Sequence, residues 1–121
     1  MSYNAYATVQ QATEAPRDLE IRAVAFVTRQ LTAANQPGAE LMTRIRALNA
    51  NMQMWTLLVD DLSQPDNALP EAIKARYISI GLFAKRHSLA SLMDGSDLSV
   101  LIQLNTDILD ALEYQRQSAA A

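Results

Sequence analysis

Residues 40–63, ELMTRIRALNANMQMWTLLVDDLS, decide how the rest of the chain is read. Leu41, Ile45, Leu48, Met52, Trp55, Val59 and Leu62 recur at alternating spacings of four and three, which holds one stripe of a helix without a miss. Glu40, Arg44, Arg46, Asn49, Asn51, Gln53, Asp60 and Asp61 take the remaining faces and are expected to meet water. The stretch therefore predicts a long amphipathic helix with a seam suited to other helices. The only tryptophan of the chain sits in that seam.

Both flanks of this helix carry stop signals. Pro37-Gly38 ends a preceding helix after Asn35, and Pro65 pushes Gln64 out of helical geometry. The preceding helix opens at residues 14–16, where Pro16 gives up nothing by lacking an N–H and Thr13 supplies the nearest capping side chain. Its inner stripe reads Leu19, Ala23, Phe26, Val27, Leu31. Ile21, Val24 and Ala25 widen the apolar surface beyond the needs of a single neighbour, so two neighbours are expected.

After the polar connector at residues 63–67, Pro70 and Glu71 start a third helix. Its inner stripe reads Ile73, Tyr77, Ile80, Ala84, His87, and a second stripe, Ile78, Leu82, Leu89, Leu92, Met93, lies to one side. Gly81, which costs about 1 kcal/mol against alanine inside a helix, predicts close approach of another helix. Asp94-Gly95-Ser96-Asp97 breaks the chain, with Gly95 as a left-handed C′ residue and Ser96, followed by Asp97, as the next cap. Leu98, Leu101, Ile102, Asn105, Ile108, Leu109 and Leu112 form the last stripe, and the polar, alanine-rich end from Gln115, with 116–121 as a tail, is expected to fray.

Four helices of similar length joined by short connectors predict an all-α, antiparallel up-and-down four-helix bundle in a single domain over residues 1–121. Residues 1–15 are read either as an arm or short helix, in which Tyr3, Tyr6 and Val9 line up as a docking element, or as a frayed terminus. Half of the 121 residues are apolar, enough for one core without staples. The chain has no cysteine, which excludes disulfides and thiolate chemistry. Neither a long apolar run nor a basic, apolar leader occurs, so neither membrane insertion nor export is expected and the location is read as cytoplasmic.

Ten basic and thirteen acidic residues give a net charge of −3, which disfavours general nucleic-acid binding. Lys74, Arg76, Lys85 and Arg86 make the third helix locally basic, but no aromatic ladder accompanies them. His87 has no ligand at a four-residue spacing, and Asp107 with Asp110 lacks a third, so no metal and no cofactor is expected. Phosphate cradles and nucleophile elbows are absent from the sequence, and no enzyme is expected.

Several positions together resemble the FlaF family of flagellar biosynthesis regulators: Asn4-Ala5-Tyr6 followed by Pro16-Arg17 and Glu20; Asn51 with Trp55; Asn67-Ala68-Leu69-Pro70; Ile78-Ser79-Ile80-Gly81-Leu82; and Arg86-His87-Ser88. Ala15 departs from the expected capping serine, and Phe83 stands where a tryptophan is common. The N-terminal pattern is also similar to that of the flagellin export chaperone FliS. The FlaF resemblance implies a cytoplasmic chaperone that binds the terminal amphipathic helices of flagellin and promotes flagellin production and secretion. It acts opposite the regulator FlbT, so a FlbT-like protein or the export apparatus is a further expected partner. A bundle with an apolar groove covers such a helix in the helix-in-groove mode. Met42, Met52, Met54 and Met93 offer an adaptable lining for it.

The implied flagellin-contacting residues are Tyr3, Tyr6, Asn51, Trp55, Asn67, Leu69, Pro70, Phe83, Arg86 and His87. Asn51, Asn67 and Arg86 are expected at the surface, because burial would demand partners for their polar groups. Trp55 and Phe83 are core by residue type. Two rival functions remain at this level: an RNA-binding regulator of flagellin message, which predicts contacts through Lys85 and Arg86, and a structural dimer module with Trp55 at a self-interface.

Overall fold

The computed structural model describes residues 16–120. They form helices α1 (Pro16–Ala34), α2 (Leu41–Ser63), α3 (Glu71–Asp94) and α4 (Ser99–Ala120), with no strand among the described residues. The four pack as the expected bundle. α2 packs on both α1 and α3, α1 also packs on α4, and α3 touches α4 more lightly than these. The two neighbours expected of α1 are thus α2 and α4.

The core gathers Val24, Leu31, Leu48, Trp55, Leu98 and Leu101, all fully buried, with Ile21, Val27, Leu58, Ile108 and Leu112 around them. Of the stripe predicted for α4, Leu98 just before it and Leu101, Asn105, Ile108 and Leu112 within it are buried, while Ile102 and Leu109 are half-buried. α2 differs from its predicted stripe. Leu41 is exposed and Ile45, Met52 and Val59 are half-buried, whereas Ala47, Asn51, Met54 and Leu58 go inside. The helix serves α1 on one flank and α3 on the other, so its buried arc is wider than one seam and is centred beside it.

Asn51 is the main correction, since it was expected in water and is fully buried. Its burial is compensated by a continuous hydrogen-bond chain through the core. Trp55 Nε1–H donates to Asn105 Oδ1 (2.8 Å), Asn105 Nδ2 donates to Asn51 Oδ1 (2.8 Å), Asn51 Nδ2 donates to Ser88 Oγ (2.9 Å), and Ser88 Oγ–H donates to the Ala84 carbonyl (2.7 Å). The chain crosses from α4 through α2 to α3, and each member is satisfied. The rule that burial needs partners was sound. The partners come from other helices, which no local pattern in α2 reveals.

α3 is rotated from its predicted orientation. Its buried residues are Lys74, Gly81, Ala84, Ser88 and Ser91, while Ile73 is exposed and Tyr77, Ile80 and His87 are only half-buried. Small residues face the core because α2 approaches closely here, as expected from Gly81. A Cβ added at Gly81 would stand 2.5 Å from Val59 Cγ2 and 3.0 Å from Trp55 Cε3. Val59 and Trp55 together fill the space that any side chain at 81 would need.

The connectors lock the helix ends. Gly95, at φ 70°, takes the left-handed position, and its N–H donates to the Ser91 carbonyl at 3.1 Å. Arg44, expected in water, reaches across to donate to the carbonyls of Ser91 (3.2 Å) and Ser96. Capping at α4 falls to Asp97, not Ser96: the Asp97 carboxylate accepts from the Ser99 N–H (2.9 Å) and hydroxyl (2.7 Å). Asn35 braces the same turn, donating to Asp97 (2.9 Å) and accepting from the Leu98 N–H (2.9 Å). At the other end α4 stays helical to Ala120, beyond the expected fraying, and Arg116 pairs with Asp18 of α1 at 3.3 Å. The arm 1–15 and its capping Thr13 lie outside the described residues.

Two substitutions test this packing. Gly81→Ala improves helix propensity yet is expected to destabilise by about 1–3 kcal/mol through overpacking against Val59 and Trp55. Asn105→Ala leaves the Trp55 N–H and the Asn51 carbonyl without partners and is expected to cost about 2–4 kcal/mol. Urea unfolding followed by far-UV circular dichroism measures both.

Candidate functional site

The described candidate residues fall in three separate places. Asn51 and Trp55 are fully buried and present nothing to a partner, which removes Trp55 from any self-interface. Asn67, Leu69 and Pro70 lie in the α2–α3 connector. There Asn67 Nδ2 donates to Asp61 (3.2 Å) and Asn67 Oδ1 accepts from the Leu69 N–H (3.1 Å), a side-chain turn that sets the chain up for Pro70. Phe83, Arg86 and His87 are on the outer side of α3. Phe83 is exposed, contrary to its expected core placement, and stacks on His87 with ring centroids 5.5 Å apart. The His87 ring is half-buried, and its Nε2 is enclosed without a hydrogen-bond partner. Tyr3 and Tyr6 lie outside the described residues.

A hollow of about 520 Å³ at one end of the bundle is lined by Arg17, Asp18, Leu69, Tyr114 and Arg116 among others. Charged side chains rim it, and the Arg116–Asp18 pair crosses that region. More apolar is the groove of about 470 Å³ between α1 and α2. Leu19, Ala23, Phe26 and Val27 from α1 face Ala50, Met54, Leu57 and Leu58 from α2. Val27, Met54 and Leu58 are buried as its floor, while Phe26 and Leu57 stand 55% and 70% exposed at its rim. Part of the predicted inner stripe of α1, Leu19-Ala23-Phe26, thus lies along an uncovered groove. Those three residues were legible as apolar. Their partner helix was not, because the antiparallel pairing that puts Leu57 opposite them is a tertiary fact.

The two ends of the groove are polar. At one, Glu20 pairs with Arg17 at 3.2 Å and stands beside Asp61. Burial, reinforced by the Asp61 carboxylate and opposed by Arg17, raises the Glu20 pKa above its ordinary value. At the other end Gln30 Oε1 is enclosed and accepts no hydrogen bond. From Glu20 to Gln30 the groove follows ten helical residues, about 15 Å, or nearly three turns of a docked helix. Among the described residues no group of three or more His, Cys, Asp or Glu side chains is placed to hold a metal, and no helix is long and apolar enough to cross a membrane.

These features define a class: a helical bundle whose open surface carries an apolar groove and no metal cluster among the described residues. The sequence profile of the flagellar protein FlaF family matches residues 2–112, and the chain belongs to that family. No curated protein and no solved structure matches it.

The carboxylates give opposite pH signatures. Glu20, with its folded pKa raised, favours the fold when protonated, and that contribution fades as pH rises through the folded value. Asp94, held low chiefly by the Ser96 hydroxyl and N–H, and Asp97, held low by the Ser99 hydroxyl and the Asn35 amide, contribute above their ordinary range and lose that contribution as pH falls. Glu20→Gln is therefore expected to stabilise the protein at pH 7, with the gain shrinking towards zero near pH 4. Unfolding titrations at the two pH values read the difference.

Proposed function

We propose that the protein binds flagellin in the cytoplasm as a secretion chaperone, promoting flagellin synthesis and export, and that the α1/α2 groove receives an amphipathic helix from a flagellin terminus. The observation that carries this reading is the uncovered apolar groove rimmed by Phe26 and Leu57. Membership of a flagellar protein family supplies the context. An apolar stripe three turns long fits the groove, and its burial drives association. Ordering a segment that is disordered when free costs roughly 2–5 kcal/mol, which keeps affinity moderate and the cargo releasable. Net charge −3 and an apolar groove argue against the RNA-binding alternative.

Titration calorimetry of the full chain with monomeric flagellin, and with flagellin lacking either terminus, tests the proposal. A one-to-one complex at micromolar concentration or tighter is expected, lost on removing one terminus. Leu57→Asp places a charge at the rim and is expected to weaken binding about tenfold or more without altering helicity. Intact protein that ignores flagellin at micromolar concentration would overturn the reading.

A further inference from the structure

α3 is built inside out. Its core-facing side carries Gly81, Ala84, Ser88 and Ser91, whereas Leu82, Phe83, Leu89 and Met93 are exposed, Leu89 by 56% and Met93 by 83%. A helix that needed only the core would place these large side chains inward. Three of them are also ordered along the helix: Leu82, Leu89 and Met93, with Arg86 between, follow four-three-four spacing, the register of a seam between two helices, over about 17 Å. The seam lies opposite the face of α3 that meets the core. The α1/α2 groove lies on the far flank of α2, so the two surfaces are distinct.

Charge selects the occupant. Arg86 sits in the seam itself, is exposed, and makes no hydrogen bond or ion pair among the described residues; Arg76 and Lys85 flank it. The acids of α3 are at its ends and already engaged, Glu71 with Lys74 at 3.6 Å and Asp94 with the Ser96 N–H at 2.9 Å. A two-fold pairing of α3 with its copy on this seam would bring the two Arg86 guanidiniums together, face to face if parallel and less than one turn apart if antiparallel, so a second copy is disfavoured. A membrane surface is disfavoured too, because helices that lie on lipid keep their cations beside the apolar face, whereas here Arg86 interrupts it. We propose that the outer face of α3 is a second docking surface, which takes an amphipathic helix of a protein partner bearing carboxylates beside its apolar stripe. The chain then joins two polypeptides, one in the groove and one on α3.

The test uses two synthetic three-heptad peptides with leucine at the a and d positions, one with glutamate and one with lysine at e and g. Like charges at e and g keep each from pairing with itself. Fluorescence anisotropy with the full chain is expected to show the glutamate peptide binding about tenfold or more tightly than the lysine peptide, and more weakly as salt rises. Leu89→Ser is expected to abolish this binding, Arg86→Glu to reverse the charge preference, and Leu57→Asp in the groove to leave it unchanged. The seam residues are exposed, so these variants should keep the parent's thermal midpoint, which is checked alongside. Three outcomes overturn the proposal: equal binding of the two peptides or insensitivity to Leu89→Ser; partition onto vesicles containing phosphatidylserine that Leu89→Ser abolishes; or a concentration-dependent dimer, seen by light scattering, that Leu89→Ser dissolves.

Discussion

The hydrogen-bond chain Trp55–Asn105–Asn51–Ser88 is the constraint on which the rest of the bundle depends. An apolar core tolerates several rotations of its helices, because leucine against leucine costs little to reshuffle. Two buried amides, an indole N–H and a hydroxyl do not tolerate it, since any slip leaves a polar group without a partner in a medium that offers no replacement. The chain ties α2 to α4 across the diagonal and to α3 at its side. In doing so it fixes which face of each helix is inner.

From that anchor the inversion of α3 follows. Trp55 is held by its hydrogen bond to Asn105, and its ring lies where a side chain on residue 81 would be. α3 comes close only by presenting Gly81, Ala84 and Ser88 to the core, and its large apolar residues are turned outward. The same α2 helix, satisfied on that flank, leaves Leu57 and Met54 to meet α1 across an unfilled groove. The interior polar chain and the two exposed apolar surfaces are thus linked parts of one packing solution. Exposed apolar surface of this kind is costly in water.

Much of this was legible beforehand and some was not, for reasons visible in individual residues. The helix ends were readable from Pro16, Pro37-Gly38, Pro65, Pro70 and Gly95, because glycine and proline act on the local backbone whatever surrounds them. Gly81 was readable as a point of close approach for the same reason. The stripe of α4, including Asn105, was readable because that helix is apolar on one side only. α3 is apolar over much of its circumference, so periodicity could not say which stripe was inner, and Phe83 was misplaced. Asn51 was misplaced because the acceptor and donor that make its burial affordable lie 37 and 54 residues away. The groove was half visible, as Leu19, Ala23 and Phe26 of the stripe predicted on α1, while its other wall at Leu57 was not.

By itself the sequence determined four helices, the limits of the first three, their antiparallel succession and the kinship with flagellar FlaF proteins, since local backbone preference and one-sided apolar periodicity act over a few residues. Only the tertiary structure decided how each helix is rotated, that Asn51 of α2 is core and not contact surface, and where apolar surface is left uncovered. The reason is that close packing around Gly81 and the pairing of buried amides are satisfied between helices, by residues that no stretch of chain holds together.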